Sequence, residues 1–398
     1  MKRIVVVGAS LAGVRAAEAL RRDGYEGRVV LVGAEAHAPY DRPPLSKDYL
    51  AGTTARPALD LRKDGVADLD LDLHLGQAAH SLDVDAHTVG VGEETVEYDG
   101  LIIATGAHPR RIPGWDARPG VHTLRTVEDA DALRTAIVGG ARICVIGAGF
   151  IGAEVAATAR GLGHQVTVLE ALPQPMVRGV GPVIGAVLAR LHRAHGVDLR
   201  LGVGVEAVVG DGRVEQVRLA DGSAVECDLV LVAVGAVPTT DWLAGSAVTV
   251  ADGVVCDAML RAAPDVVAAG DVCRWPNPMF DDEMMRIEHW TNAAEQGTHA
   301  ARTLLRGDEA TPFSTVPFVW SDQYDVKIQS VGRFSGDDRM EVVHGTTDDD
   351  RFVALFARGD RLGGVLGFSQ PRRVMQYRRM VADRASFADA LAFAAENP

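Results

Sequence analysis

The sequence predicts an α/β fold built from two copies of one strand, glycine turn, helix, strand plan, with a small α+β domain after them. Three observations predict it. The chain opens with RIVVVGASLAGVRAAEALRRDG (Arg3 to Gly24) and repeats the plan as RICVIGAGFIGAEVAATARGLG (Arg142 to Gly163). Each copy is closed by an apolar strand ending in Gly-Ala-x-Pro: LIIATGAHP (Leu101 to Pro109) and LVLVAVGAVP (Leu229 to Pro238). From about Thr311 the character changes, and RFVALFARGDRLGGVLGFSQ reads as two strands around a Gly-Asp turn, followed by helices to Ala395.

In the first copy, RIVVV is a short β-branched run suited to a buried parallel strand. GASLAG (Gly8 to Gly13) then turns the chain into a helix rich in Ala, Leu and Arg, and RVVLVGAE supplies a second buried strand. This order is that of a Rossmann-like dinucleotide-binding unit. The first glycine permits a tight turn, the middle position lets backbone N–H groups approach a pyrophosphate, and the last glycine lets helix pack on strand. Here Gly8 and Gly13 hold the outer positions and Ser10 the middle one, where its hydroxyl can donate to a phosphate. Glu35 follows the second strand, placed to accept from adenosine ribose hydroxyls. The second copy is a complete G-x-G-x-x-G (Gly147, Gly149, Gly152) and leads through HQVTVLE to Glu170 at the strand end. A carboxylate there binds both ribose hydroxyls and repels a 2′-phosphate, so NADH is expected over NADPH; Arg178 nearby leaves NADPH open. Between fingerprint and closing strand each half carries a polar, hairpin-like stretch, LDVDAHTVGVGEETVEYDG and VVGDGRVEQVRLADGSAVECD. Two dinucleotide sites in one chain equip it to pass a hydride between them.

Composition narrows the field. At 398 residues, 47% hydrophobic and 24% charged, the chain suits two or three globular domains. A net charge of −14 argues against a nucleic-acid binder. Runs such as LVLVAVGAV fall far short of the roughly 18 apolar residues of a membrane span, and the start lacks a signal-peptide pattern, so a cytoplasmic location is expected. Cys144, Cys227, Cys256 and Cys273 form no C-x-x-C pair and no metal-ligand spacing, and read as packing residues. No metal site is expected.

Four further strings occur in order: PYDRPPLSKDYL (Pro39 to Leu50), AAGDVCRWPNP (Ala268 to Pro278), EHWTNAAEQG (Glu288 to Gly297) and VPFVWSDQYD (Val316 to Asp325). With the two fingerprints they resemble the NADH-dependent, FAD-containing ferredoxin reductases that feed bacterial cytochrome P450 and Rieske-type oxygenase systems, with rubredoxin reductases as close relatives. The resemblance spans essentially the whole chain. It implies a discontinuous FAD-binding domain (1–109 and 237–310), an inserted NADH-binding domain (110–236) and a C-terminal α+β domain (311–398).

It also implies roles. Gly8, Ser10, Gly13 and Glu35 would bind FAD, joined by Arg42 and Pro43 under the flavin, by Thr105 and Gly106 of the ATG segment, and by Gly270 and Asp271, the latter on the ribityl chain. Gly147, Gly149, Gly152, Glu170 and Gly235 would hold NADH. Lys47 would lie by flavin N5, paired with Glu154, and Trp290 near the nicotinamide and flavin, with His289 beside it as a weaker candidate proton donor.

Related flavoproteins deliver electrons through cysteines beside the flavin, and PYDRPP has none. Electrons are therefore expected to leave singly for an external carrier, a [2Fe–2S] ferredoxin. Its footprint is expected on local basic groups, Arg110 and Arg111, and Arg372, Arg373, Arg378 and Arg379. Other readings stay open at this point: an NADH oxidase, a rubredoxin reductase, or an NADH-sensing interaction flavoprotein. The oligomeric expectation is a monomer or weak homodimer.

Overall fold

The computed structural model describes residues 1–398 apart from Asp64, Asp116, Ala117, Val138 and Gly139. The described residues fall into two compact units. One comprises Met1–Asp41, Arg56–His108 and Val237–Pro317; the other comprises Arg42–Ala55, Pro109–Ala236 and Phe318–Pro398. The α-helices, in chain order, are α1 (Leu11–Arg22), α2 (Val127–Ala136), α3 (Phe150–Gly161), α4 (Val177–Ala194), α5 (Trp290–Arg306), α6 (Pro371–Ala382) and α7 (Phe387–Glu396). None is long and apolar enough to cross a membrane.

The first unit is organised by a six-stranded sheet. Its order is Arg261–Ala263, Val266–Ala268, Gly100–Ile103, Arg3–Val7, Arg28–Gly33, Leu71–Leu75, and all pairs are parallel except the outermost hairpin. Ile4, Val5 and Val6 are fully buried, as β-branched residues in a covered central strand should be. α1 and α5 lie in near backbone contact. A Cβ added at Gly297 would come within 2.2 Å of the Ala12 carbonyl oxygen, so only glycine permits the approach. The crossing fixes the Gly270–Asp271 turn beside the start of α1: the missing Cβ of Gly270 points at the Ala12 methyl group, 3.1 Å away.

In the second unit a five-stranded parallel sheet runs in the order Asp198–Leu201, Gln165–Glu170, Arg142–Ile146, Leu229–Val232, Val121–His122. The internal duplication holds to the residue. Ile4 pairs with Gly100 in one unit, and Ile143 pairs with Leu229, its counterpart, in the other.

A five-stranded antiparallel sheet completes this unit: Phe318–Gln323, Val326–Gly332, Arg361–Phe368, Phe352–Arg358, Met340–His344. Side chains alternate across it. Ile328, Phe352, Phe356, Leu366 and Phe368 face Val180, Ile184, Val187, Leu188 and Leu191 of α4 and form one core with them. Gly367, one step out of phase, lies under Val374 of α6. α4 begins with a kink, since Gly181 has φ 79° and ψ 171° ahead of Pro182. Gly336 sits against that kink so closely that a Cβ on it would stand 2.8 Å from Gly181 Cα.

Candidate active site

Both fingerprints have the same physical construction. A Cβ on Gly8 would meet the Ala104 carbonyl oxygen at 2.1 Å, and one on Gly147 would meet the equivalent oxygen of Ala233 at 2.4 Å. The last glycines answer to helix packing: Cβ atoms on Gly13 and Gly152 would lie 1.9 and 2.1 Å from the carbonyl oxygens of Gly8 and Gly147. The middle position differs in kind. Around Gly149 nothing lies within 4 Å of where a Cβ would be, so packing does not require this glycine. Ser10, its counterpart, stands at the N-cap of α1 in extended conformation without a side-chain capping bond, and no side chain caps α3. The first N–H groups of both helices therefore remain for an anion.

Glu170 binds back onto its own fingerprint. Its Oε2 accepts from the Ala148 N–H at 2.8 Å and its Oε1 from the Leu172 N–H at 2.9 Å, which fixes the carboxylate beside the glycine turn. Gly235 (φ 103°) likewise has open space where a Cβ would be, and its carbonyl accepts from the Arg110 N–H at 2.9 Å. Arg178 is exposed at the start of α4. In the first unit Glu35 is half-buried two residues past its strand and accepts from the Tyr40 hydroxyl.

The remaining candidates of the first unit gather around the starts of α1 and α5. The Gly270 N–H donates to Gln296 Oε1 at 2.9 Å, and the Asp271 carbonyl accepts from Arg286 at 3.2 Å. His289 is the N-cap residue of α5, and its Nδ1 is buried without a hydrogen-bond partner among the described residues. Burial holds this imidazole down to a pKa of about 4 despite the nearby Asp271 carboxylate, so at neutral pH it carries no proton to give as a cation. An orphaned ring nitrogen facing a glycine turn and an uncapped helix suits a polar cofactor. Trp290 Nε1 donates to Asp41 Oδ1 at 2.7 Å, which orients the indole. Thr105 donates from its hydroxyl to the Thr239 carbonyl at 2.7 Å, and Gly106 adopts φ 68°.

In the second unit Arg42 donates to the Arg125 carbonyl at 2.6 Å, and Pro43 begins a single 3-10 turn, Pro43–Ser46, that presents Lys47. Lys47 Nζ lies 2.6 Å from Glu154 Oε2. Glu154, on α3 and only 4% exposed, also accepts from Ser46 Oγ at 2.5 Å and from Ser321 Oγ at 2.7 Å. A buried charge pair is tolerable only with its lone pairs and protons satisfied in this way. Ser46 and Ser321 are partners of this candidate pair that sequence reasoning missed. A signal existed for one: alternation along the strand Phe318–Gln323 places Ser321 and Gln323 on one face, and polar residues at 0% exposure there require partners.

All four cysteines are buried and unbridged. The Cys144 thiol is pushed well up by its hydrogen bond to Cys227 and by burial, and that of Cys273 by burial and the neighbouring Cys256, whose sulfur is 3.8 Å away. The Cys144 and Cys273 thiols are therefore poor nucleophiles. The arginines divide. Arg372 and Arg379 are exposed on α6, as are Arg110 and Arg111 in their loop, while Arg378 lies over the Phe318 ring. Arg373 is engaged: it hydrogen-bonds His344 and donates to the carbonyl oxygens of Asn397 at 3.1 Å and Pro398 at 2.8 Å.

Two nucleotide fingerprints on two parallel sheets, each with an acidic residue past its second strand, define a two-dinucleotide flavoprotein-type reductase. The chain belongs to the pyridine nucleotide-disulphide oxidoreductase family, which matches residues 2–297, and residues 318–397 match the reductase C-terminal family. It is similar to rhodocoxin reductase of Rhodococcus erythropolis, 38% identical over 384 residues covering 95% of this chain and 89% of the relative. It is also 36% identical to the ferredoxin–NAD(+) reductase component of the p-cumate 2,3-dioxygenase system of Pseudomonas putida, over 97% of this chain and 94% of that protein. Among solved structures, the covalent putidaredoxin reductase–putidaredoxin complex matches with a TM-score of 0.91 and 33% identity, covering 96% of this chain and 93% of that one.

Proposed function

We propose that the protein is an NADH:ferredoxin oxidoreductase that takes electrons from NADH through FAD and delivers them to a [2Fe–2S] ferredoxin serving a cytochrome P450 or Rieske-type oxygenase in the cytoplasm. When bound, FAD accepts a hydride from NADH and passes the electrons on singly, chemistry that needs no protein thiol. The observation that carries the reading is the matched pair of fingerprints, alike in register and in glycine contacts, in a chain whose cysteines are all locked inside its cores.

The protein's own residues bind, orient and exclude water. Gly8, Ser10, Gly13, Glu35, Thr105, Gly106, Gly270, Asp271 and His289 would hold FAD, with Arg42 and Pro43 supporting it. Gly147, Gly149, Gly152, Glu170 and Gly235 would hold NADH. Lys47 is assigned the cationic role at the flavin, balanced by Glu154, with Trp290 bracing the ring systems through its bond to Asp41. Two sources support the ferredoxin as acceptor: the named roles of the relatives, and an exposed basic face of α6 on a chain of net charge −14.

The test is NADH-driven cytochrome c reduction by the FAD-loaded protein with and without a [2Fe–2S] ferredoxin, while oxygen uptake is recorded. A rate that depends strongly on ferredoxin, with little oxygen uptake in its absence, is expected. Rapid oxygen consumption indifferent to ferredoxin would overturn the reading in favour of an NADH oxidase.

A further inference from the structure

The Lys47–Glu154 pair is the end of a longer polar chain that runs through the core of the second unit. Ser321 Oγ donates to Glu154 Oε1 at 2.7 Å, and Gln323 Nε2 donates to Ser321 Oγ at 3.1 Å. His192 of α4, 3% exposed, lies beside Gln323, whose amide oxygen has no hydrogen-bond partner among the described residues, so the donor series ends at Gln323. His192 Nδ1 in turn meets the Tyr324 hydroxyl at 2.9 Å, and the Tyr324 ring stacks on His195 with centroids 3.6 Å apart. The direction of every bond follows from its members. Burial pushes the Tyr324 phenol up, so it keeps its proton and donates, and burial holds His192 neutral, leaving its Nδ1 to accept that bond.

We propose that Ser321 and Gln323 are positioning residues for the electron-transfer reaction, a one-way series of donors that fixes the Glu154 carboxylate and draws part of its charge away from Lys47. The inference rests on the proposed placing of Lys47 at the flavin. A carboxylate that shares its charge with Ser321 neutralises the lysine less completely, so more positive field reaches the cofactor and its reduction is favoured. Neither side chain is among the fingerprint or flavin-contact residues, and both act through Glu154. The separate His192–Tyr324 contact ties WSDQYD to α4, elements separated by more than a hundred residues in sequence.

The experiment measures the two-electron midpoint potential of the bound flavin in Ser321→Ala, Ser321→Thr, Gln323→Met and Lys47→Met. Ser321→Ala and Gln323→Met are expected to shift the oxidised-to-reduced equilibrium about tenfold toward the oxidised form, about 30 mV more negative. Ser321→Thr, which keeps the hydroxyl, should keep the wild-type potential. Ser321→Ala removes only a hydroxyl, so a reading remains even where Gln323→Met does not fold. A wild-type potential in Ser321→Ala, beside a shifted Lys47→Met, would overturn the positioning chain alone. An unshifted Lys47→Met would overturn the placing of Lys47 on which it rests.

Discussion

The Glu170 carboxylate accepts a hydrogen bond from the Ala148 N–H, 2.8 Å away, inside the turn where the second dinucleotide is expected to lie. The acid is therefore preorganised by the glycine turn itself. If Glu170 holds the ribose as proposed, Glu170→Ser removes both that acceptor and the repulsion of a 2′-phosphate. With a hydrogen bond to a charged group contributing about 1.5–3 kcal/mol, kcat/KM for NADH should fall about 10- to 100-fold. The value for NADPH should hold or rise, narrowing the preference. Steady-state kinetics with both nucleotides checks it.

The glycines of that turn should separate stability from binding. Gly152→Ala drives a methyl group into the Gly147 carbonyl, at a cost of about 1–3 kcal/mol or more, visible as a lowered urea midpoint. Gly149→Ala meets nothing in the protein. It should leave the urea midpoint within about 0.5 kcal/mol of wild type and raise KM for NADH.

Removing one member of the Lys47–Glu154 pair leaves the other buried. Lys47→Met is expected to lose about 3–5 kcal/mol of unfolding free energy, and Lys47→Met with Glu154→Leu to regain part of it. Equal losses in the single and double variants in denaturant titrations would show that the two do not couple.

Two buried histidines predict a pH dependence. His192 and His289 are each held down to about 4 by burial, against about 6.5 in the unfolded chain. Between these values the unfolded state binds more protons, so stability rises with pH from about 4 to 6.5 and gains nothing further from these groups above that. The full contribution of His192 is roughly 3 kcal/mol. Urea midpoints between pH 4.5 and 7.5 should show the slope, and His192→Gln should remove about one proton from it.

The basic face of α6 yields a prediction that distinguishes neighbouring arginines. Arg372→Glu with Arg379→Glu should raise the apparent KM for ferredoxin about tenfold and leave NADH-to-ferricyanide turnover unchanged. Arg373→Glu acts otherwise, because that side chain bonds His344 and the carbonyls of Asn397 and Pro398, and should lower the melting temperature instead.

Local chemistry was legible in the sequence wherever one residue type alone satisfies the geometry. Gly8, Gly13, Gly147 and Gly152 could be assigned because a backbone oxygen occupies the space of their Cβ. Glu170 could be placed because a fingerprint fixes the distance to its strand end. Arg373 shows the limit: among four arginines its sequence context marks only a charged helix, while its engagement with His344 depends on how two distant segments fold together. The bond from Ser321 to Glu154 was illegible for the same reason. Strand alternation marks Ser321 and Gln323 as sharing a face, but only the folding together of α3 and the antiparallel sheet, distant in sequence, brings Ser321 to Glu154.

The packing of α4 on the antiparallel sheet has a consequence for how such proteins are assembled over evolutionary time. The antiparallel sheet presents Phe352, Phe356, Leu366 and Phe368 to α4 and shares a core with it. Residues 318–397, recognisable as a family of their own, thus lack a private interior on that face. Transplanted alone they would carry an uncovered greasy surface and aggregate. The segment is heritable only together with a compatible α4, so substitutions on that helix and on the sheet should be found to change in step.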